Sequence, residues 1–543
     1  MRHKNWSIVF TYIVAAVFLL NGCAPAANEI STTSPDNGKS QNAKAVAPAT
    51  QAPIPTPQPT ATQITHGPDQ TDFPAGINPL SGLPVTDPSL LKTPAMLISV
   101  SNFPSVARPQ SGLSFAPMVF EFSITEGADR FLAVFYGEDP APEIPIVGDC
   151  AIRRESFKQT GILLGNRVWL DKNKNGIQDV GEPGIGGICV NLYDANGKLV
   201  DKTTTDSNGF YGFNVQSGQT YTIEFSKPAY LDFTQANVGD DDHDSDADPS
   251  SGRTQTVSAA KDDLSWDAGL VPNDAYVAPT PNPKTDPKAE IGPVRSGRLL
   301  YAHIANFFQD SCLIDAFASP EVLVKIPKCS FVTHEVNAGG SMLTLDRMKA
   351  IANENMMHSA DKPFNYASNI FSDQVPSGGV PASQLNVFFA SLNQSAWTYD
   401  PLYQAWLRSV DMSDPNNIGV LHFDSDRLTG RQLYAENLIV VMADTDVISP
   451  TNLDIHLDQG NAGYAFLFRD GQMFKIKWNT RAGDYEKKTG YQRPIKFVNF
   501  DGSPAALKPG HTWIIIVTPF STFKEGQPGT YQVIYAAPEG EAR

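Results

Sequence analysis

The stretch DKNKNGIQDVGEP, residues 171–183, carries oxygen donors at regular intervals. Asp171, Asn173, Asn175, Asp179 and Glu182 take positions 1, 3, 5, 9 and 12 of a twelve-residue loop, with Gly176 at position 6 and the Ile177 carbonyl at position 7. That spelling suits calcium, a hard cation that gathers about six to eight oxygens. A second cluster, GDDDHDSDAD, holds Asp240, Asp241, Asp242, Asp244, Asp246 and Asp248, and Asp206-Ser207-Asn208-Gly209 is a third candidate turn. The expected ligands are Asp171, Asn173, Asn175, Ile177, Asp179 and Glu182 in the first loop, Asp206 and Asn208 in the turn, and Asp240, Asp242, Asp244 and Asp246 in the acidic segment. The bland alternative is a set of Asx turns on a solvated surface. His243 reads as a surface residue.

A loop of this kind in an EF-hand sits between two helices, and this sequence denies it both. GNRVWL precedes it, GICVNLY follows it, and Pro183-Gly184 stops a helix after Glu182. The segment continues as short strands, GICVNLYD, GKLVDKTTT, GFYGFNV and QTYTIEFS, with Gly, Asn and Asp turns between them, and closes on SWDAGL. Strands at this spacing predict a β-sandwich over residues 165–270. The segment holds 17 acidic and 8 basic residues, a net −9 within a chain of net −17. Cations bound there would contribute directly to folding.

GNRVWLDKNKNGIQDVGEPGIGGICVNLYD, TTTDSNGFYGF, DSDAD and the final DAGL together resemble the B-type repeats of Gram-positive surface adhesins, of the Cna-B/Sdr kind. The resemblance covers nearly all of 165–270. It implies a calcium-stabilised sandwich acting as a rigid spacer or stalk, and implies no catalytic chemistry.

The rest of the chain supplies the setting. The net charge and a pI near 4.9 argue against nucleic acid as a partner and against electrostatic binding to anionic lipid. MRHKNWS is basic, IVFTYIVAAVFLL is an apolar run of 13 residues, and LNGC ends at Cys23. This order describes a secretory signal. LxGC resembles a bacterial lipobox, which implies a fatty-acylated (palmitate-type) Cys23 and a membrane partner through that anchor; an ordinary signal peptide is the alternative. The chain is expected to be extracytoplasmic, at the bacterial cell membrane. Beyond Cys23 lie Cys150, Cys189, Cys312 and Cys329, none in a CxxC pair. Cys312 and Cys329 are close enough to pair in an oxidising exterior, with free buried thiols the alternative.

Residues 24–75, including APATQAPIPTPQPTATQ, read as a Pro/Thr-rich tether. In 76–164, PAMLISVSN, PMVFEFSI and RFLAVFYG read as strands. Residues 271–290 are a Pro-rich linker. In 291–535, SGRLLYAHIANFF and SMLTLDRMKAIANENMM are spaced as helices, while ENLIVVMADTDV, DIHLDQG and HTWIIIVTP read as strands. GYAFLFRDGQMFKIKWN carries Asp470-Gly471 between two apolar runs, a hairpin signal.

INPLSGLPV, ARPQSGLSFAPMVFEFSITEGADRFLAVF, IGPVRSGR, VLHFDSDRLTG, ENLIVV and AFLFRDG resemble the YerB-like bacterial lipoproteins. In that family the RFLAVF and IGPVRSGR stretches lie close together, so the sandwich is expected to interrupt one host domain. EIPIVGDCAIRRESFKQTG, residues 143–161, resembles an imperfect second copy of the IGPVRSGR region. The expected fold is therefore multidomain, an α+β host in two parts, 76–164 and 291–535, with an inserted all-β calcium-binding sandwich.

Arg108, Glu121, Glu126, Arg130, Arg295, Arg298, Asp424 and Arg427 lie in the family-like motifs. Buried ion pairs that fix the domain are the first reading of them. The second is a ligand or catalytic site in which Arg130, Arg295 and Arg298 clamp an anionic group of a cell-envelope glycan or peptide and Glu126 is a general base. Pro363-Phe364-Asn365 stands where the family usually has a histidine, which weakens any reading that needs an imidazole there. GxSxG, HExxH and GxxxxGK are absent. Cys329 with His334 is a poor nucleophile–base pair, and Trp397, Trp406 and Trp478 read as core before they read as a sugar platform. The expected role is a membrane-anchored extracytoplasmic lipoprotein with a calcium-stabilised β spacer and a ligand-binding or structural host; a cell-envelope hydrolase or glycan-modifying enzyme using Glu126 with Arg130, Arg295 and Arg298 is the alternative.

Overall fold

The computed structural model describes residues 65–277, 286, 288–327, 330–331, 341–359 and 365–542. Cys23 and the signal segment, Cys329, His334, Pro363 and Phe364 lie outside them. No helix among the described residues is long and apolar enough to cross a membrane.

The host is built on a 13-stranded mixed sheet. Its middle runs Met96–Ser101, Ala128–Phe135, Met118–Thr125, Thr512–Val517, Asn437–Met442, Ala462–Arg469 and Gln472–Asn479. Alternation along these strands feeds two cores. Phe120, Phe122, Leu132, Ile439 and Ile514 face one side with Leu300, Tyr301 and Ile304 of the short helix Leu300–Ala305. Val119, Phe131, Val440 and Ile515 face the other, against Leu385, Trp397 and Trp406 of a seven-stranded sheet. That second sheet carries Gln384–Ala390, Asn393–Asp400, Ala405–Asp411 and, parallel to the first of these, Thr530–Ile534. Helices are few and peripheral, so the host is mostly β. Trp397, Trp406 and Trp478 are fully buried, the core reading and not the sugar-platform alternative.

Local signals explain most of the frame. Asp470 and Gly471 adopt φ of +50° and +67°, the paired left-handed turn that suits a two-residue hairpin. SMLTLDRMKAIANENMM divides into a strand, Ser341–Thr344, and a helix, Leu345–Ser359. Thr65–His66 pairs with Phe371–Ser372, so the folded host already includes residues given to the tether.

The sandwich has its own core, around Trp169, Ile188, Val190, Tyr211, Phe213 and Ile223. One sheet orders Val257–Ser258, Thr220–Phe225, Cys189–Asp194 and Leu199–Thr204; the other orders Leu231–Phe233, Ala268–Pro272 and Val168–Leu170. Ile162–Leu164 pairs with Phe213–Val215, so the module starts slightly before residue 165.

The module is docked on the host. Tyr403 donates to Asp206 Oδ2 at 2.9 Å, accepts from Asn208 Nδ2 at 2.8 Å, and packs its ring 4.1 Å from that of Phe210. The segment entering the module is also held to the host: the Phe157 amide donates to Asp400 Oδ2 at 3.0 Å, and Arg431 pairs with Glu143 at 2.5 Å. A disulfide joins Cys150, in the entering segment, to Cys189 in the module. Cys312 is also disulfide-bonded; Cys329, its expected partner, is outside the described residues.

Candidate metal centre and ligand site

The first loop closes on Asp171, which is fully buried. Its Oδ1 accepts from the Lys174 and Asn175 amides at 2.6 and 3.3 Å; its Oδ2 accepts from the Gly176 amide at 2.9 Å and Thr234 Oγ1 at 2.5 Å. Gly176 sits at φ +81°, and a Cβ there would lie 2.9 Å from the Gln235 carbonyl, so the turn needs glycine. The amides of Asn173 and Asn175 both reach Asp179 Oδ2, at 2.7 and 2.8 Å. Glu182 accepts from the Lys172 amide at 2.7 Å and the Asp179 amide at 3.2 Å, and burial raises its pKa. Asn173, Asn175 and Asp179 are thus joined side chain to side chain, while Asp171 and Glu182 are tied to backbone amides of the same loop.

The acidic segment lies against that loop: Ile177 bridges to Asp244, and the Gln178 amide donates to the His243 carbonyl at 2.6 Å. Asp244 is 5% exposed and its Oδ1 has no hydrogen-bond partner. Burial pushes Asp244 up to about 6, helped by Asp241 and Asp240. Burial also pushes Asp246 up to about 8, with Asp244, Asp241 and Asp263 adding to it against a hydrogen bond from the Asp267 amide. Asp267 is raised as well, chiefly by burial. Asp263 and Asp267 were not expected here; KDDLSWDAGL brings them, and only its acidic spelling signalled it. Asp240 pairs with His243 at 2.7 Å.

Among the described residues no three His, Cys, Asp or Glu side chains stand close enough to hold an ion as they are. The donor chemistry still fits calcium. Every donor is a hard oxygen, and a buried carboxylate oxygen is left unpaired. Asp171, Asn173, Asn175, Ile177, Asp179 and Glu182 would hold one ion, and Asp240, Asp242, Asp244 and Asp246 are the candidates for another. The third turn has other partners in this structure. Asp206 is taken by Arg153 at 3.2 Å and by Tyr403, and Asn208 by Tyr403, so their polar atoms serve the joint with the host.

In the host, three of the candidates form a buried network. Arg408 lies 3.3 Å from Glu121 Oε1 and is hydrogen-bonded to Asp424, all with side chains at most 2% exposed. Its guanidinium lies 5.2 Å from the Phe131 and Trp513 ring centres and 5.8 Å from that of Trp397. Trp513 Nε1 donates to Glu121 Oε2 at 2.6 Å. Arg108 bonds Asn102 Oδ1 at 2.9 Å and faces Asp411 at 3.6 Å. This is the ion-pair reading, and it holds for Arg108, Glu121 and Asp424. Arg427 is exposed.

Arg130, Arg295 and Arg298 form a separate group. Arg130 stands opposite Ser101 in the ladder and reaches the Ser296 carbonyl at 3.4 Å, while the Arg295 amide donates to the Ser99 carbonyl at 3.0 Å. The two backbones thus bring the arginines to one strand end. Tyr301 OH lies 2.7 Å from Ser99 Oγ. Nε of Arg130 and of Arg298 are both buried without partners. Burial, with Arg298 and Arg295 adding to it, lowers Arg130 to about 9. Asp315, fully buried beside Gly297, has both oxygens unpaired, and burial pushes it up to about 7.

Glu126 does not join them. It occupies the hairpin tip, exposed, at φ +55°, its amide bonded to the Ala542 carbonyl at 2.7 Å. Arg130 pairs with Phe122, four residues back along the ladder and roughly 13 Å away at the usual rise.

Comparison with known proteins divides the chain in the same way. Residues 162–270 match the SdrD B-like domain, 80–155 the N-terminal domain and 385–514 the C-terminal domain of a protein of unknown function, DUF3048. Serine-aspartate repeat-containing protein C of Staphylococcus aureus is 47% identical over 114 residues in strain Newman and 46% in strain N315, covering 21% of this chain. The match spans only 12% of the length of those relatives. The crystal structure of YerB protein from Bacillus subtilis is similar with a TM-score of 0.40 at 18% identity, over 81% of this chain and 96% of that one.

Proposed function

We propose that this chain, an SdrD B-like domain set between the two parts of a DUF3048 protein, is an extracytoplasmic lipoprotein whose host domain binds an anionic envelope ligand. The observation that carries the reading is the arginine group. Arg130, Arg295 and Arg298 have no ion pair among the described residues, and two of their Nε atoms are buried without acceptors. Such groups cost stability unless something fills them. A carboxylate or phosphate of a cell-envelope glycan or peptide supplies what they lack.

The Cys150–Cys189 disulfide supports an oxidising compartment. Acylation at Cys23 would hold the chain to the membrane. Calcium would neutralise Asp171, Asp179 and Glu182 and make the module a stiff brace docked through Tyr403. The hydrolase reading loses its base, because Glu126 is remote from the arginines.

The test is titration of the purified chain with carboxylate-bearing peptidoglycan fragments, followed by calorimetry. Arg298→Met and Arg130→Met should each weaken binding by at least tenfold, with the fold intact by circular dichroism. Equal binding by wild type and both variants would remove the site from this reading.

A further inference from the structure

The stretch DIHLD, residues 454–458, alternates polar and apolar residues as a strand does. In the structure Leu453, Ile455 and Leu457 turn into the core, and Asp454, His456 and Asp458 turn out together. They face His303, on the helix Leu300–Ala305, and Asp446, on the neighbouring strand Thr445–Ser449. His303 Nε2 lies 2.9 Å from Asp454 Oδ1, and His456 Nε2 lies 3.0 Å from Asp446 Oδ2. In the neutral tautomer whose Nε2 donates to a carboxylate, each ring keeps its Nδ1 lone pair free. Both Nδ1 atoms then face one oxygen: Asp458 Oδ1 is 3.6 Å from that of His303 and 3.5 Å from that of His456.

In that state three acceptors face each other and repel unless a cation, a proton or a metal ion, lies between them. Zinc bonds of about 2.0–2.1 Å at tetrahedral angles separate donor atoms by roughly 3.4 Å, close to both spacings seen here. A histidine that binds metal through one nitrogen and donates through the other to a carboxylate is the usual supporting arrangement. We propose that His303 Nδ1, His456 Nδ1 and Asp458 form a binding site for a divalent transition cation, zinc foremost, with Asp454 and Asp446 orienting the two rings. As they stand the donors do not close around a point. Asp458 is half-exposed and free to turn, which also leaves a fourth position to solvent. Imidazole donors separate this site from the all-oxygen loops of the module, which suit calcium.

The test uses the full chain, tag-free in detergent, stripped with chelator and dialysed into excess calcium to keep the module loaded. Cobalt(II) titration should give a saturable tetrahedral visible band at one equivalent, discharged by zinc, and elemental analysis should find one zinc retained. His303→Ala and His456→Ala should abolish the band, and His422→Ala, on an exposed strand, should leave it. Asp454→Asn should weaken zinc about 10–100-fold while keeping the band's shape. Unchanged melting of the variants in chelator would show that they fold. Absence of the band in wild type, or its persistence in both histidine variants, would overturn the site and leave a network of imidazolium–carboxylate pairs.

Discussion

Replacing Arg408 by methionine tests the host's interior most directly. The side chain keeps comparable bulk among Phe131, Trp397 and Trp513 but withdraws the guanidinium that faces Glu121 and Asp424. Two carboxylates with side-chain exposures of 1% and 2% are then left without it. Breaking a buried pair by removing one partner costs about 3–5 kcal/mol. The Trp513 hydrogen bond to Glu121 survives, so we expect about 4 kcal/mol at pH 8. The sign with pH follows from burial, which already pushes Glu121 above its ordinary range against the pull of Arg408. Without that pull its folded pKa rises further above the unfolded value near 4.3. The folded variant then binds more protons than the unfolded chain, and its stability falls as pH rises. The penalty should therefore be smaller at pH 5 than at pH 8. Urea unfolding followed by tryptophan fluorescence reads it where the rings lie. Adding Glu121→Gln and Asp424→Asn should recover most of the loss. A penalty below about 1 kcal/mol, or one equal at both pH values, would refute the claim that this arginine compensates the two carboxylates.

Chelation should lower the melting temperature of the module and leave the host nearly unchanged; a site saturated a hundredfold above its Kd contributes about 2.7 kcal/mol, and Asp171→Ala should erase the difference seen by calorimetry. Reducing the Cys150–Cys189 bond, which spans 39 residues, should cost about 4 kcal/mol by loop entropy, read as a drop in module stability under thiol. Tyr403→Ala should release the module from the host, raising hydrogen exchange over residues 143–161 while each core keeps its protection. Asp315, raised by burial, should destabilise the host as pH climbs from about 4 through 7, so Asp315→Asn should flatten that part of the stability profile.

Much of the frame could be read from local spelling. Gly176, Asp470-Gly471 and the alternating strands each dictate a backbone geometry that nearby residues cannot override. What escaped was long-range. Arg408 and Glu121 are 287 residues apart, and no periodicity links them. Asn393–Asp400 and Ala405–Asp411 were missed because NQSAWTYDPLYQAWLRSVD mixes polar and aromatic residues without clean alternation, their polar faces being buried in that same network. The Cys150–Cys189 bond was hidden because one cysteine lies in the entering segment and the other in the module. The contacts of Asp206 and Asn208 with Tyr403 were not legible, because a turn's spelling is the same whether its polar atoms face a cation or a neighbouring tyrosine.

The disulfide has a mechanical consequence. Residues 151–188 lie between its two cysteines, and the whole 171–182 loop is among them. When tension is applied between the segment entering from the host and any point of the module beyond Cys189, the covalent bridge carries the pull and the chain it shortcuts stays slack. The loop with the calcium spelling is thereby kept out of the line of force in that direction.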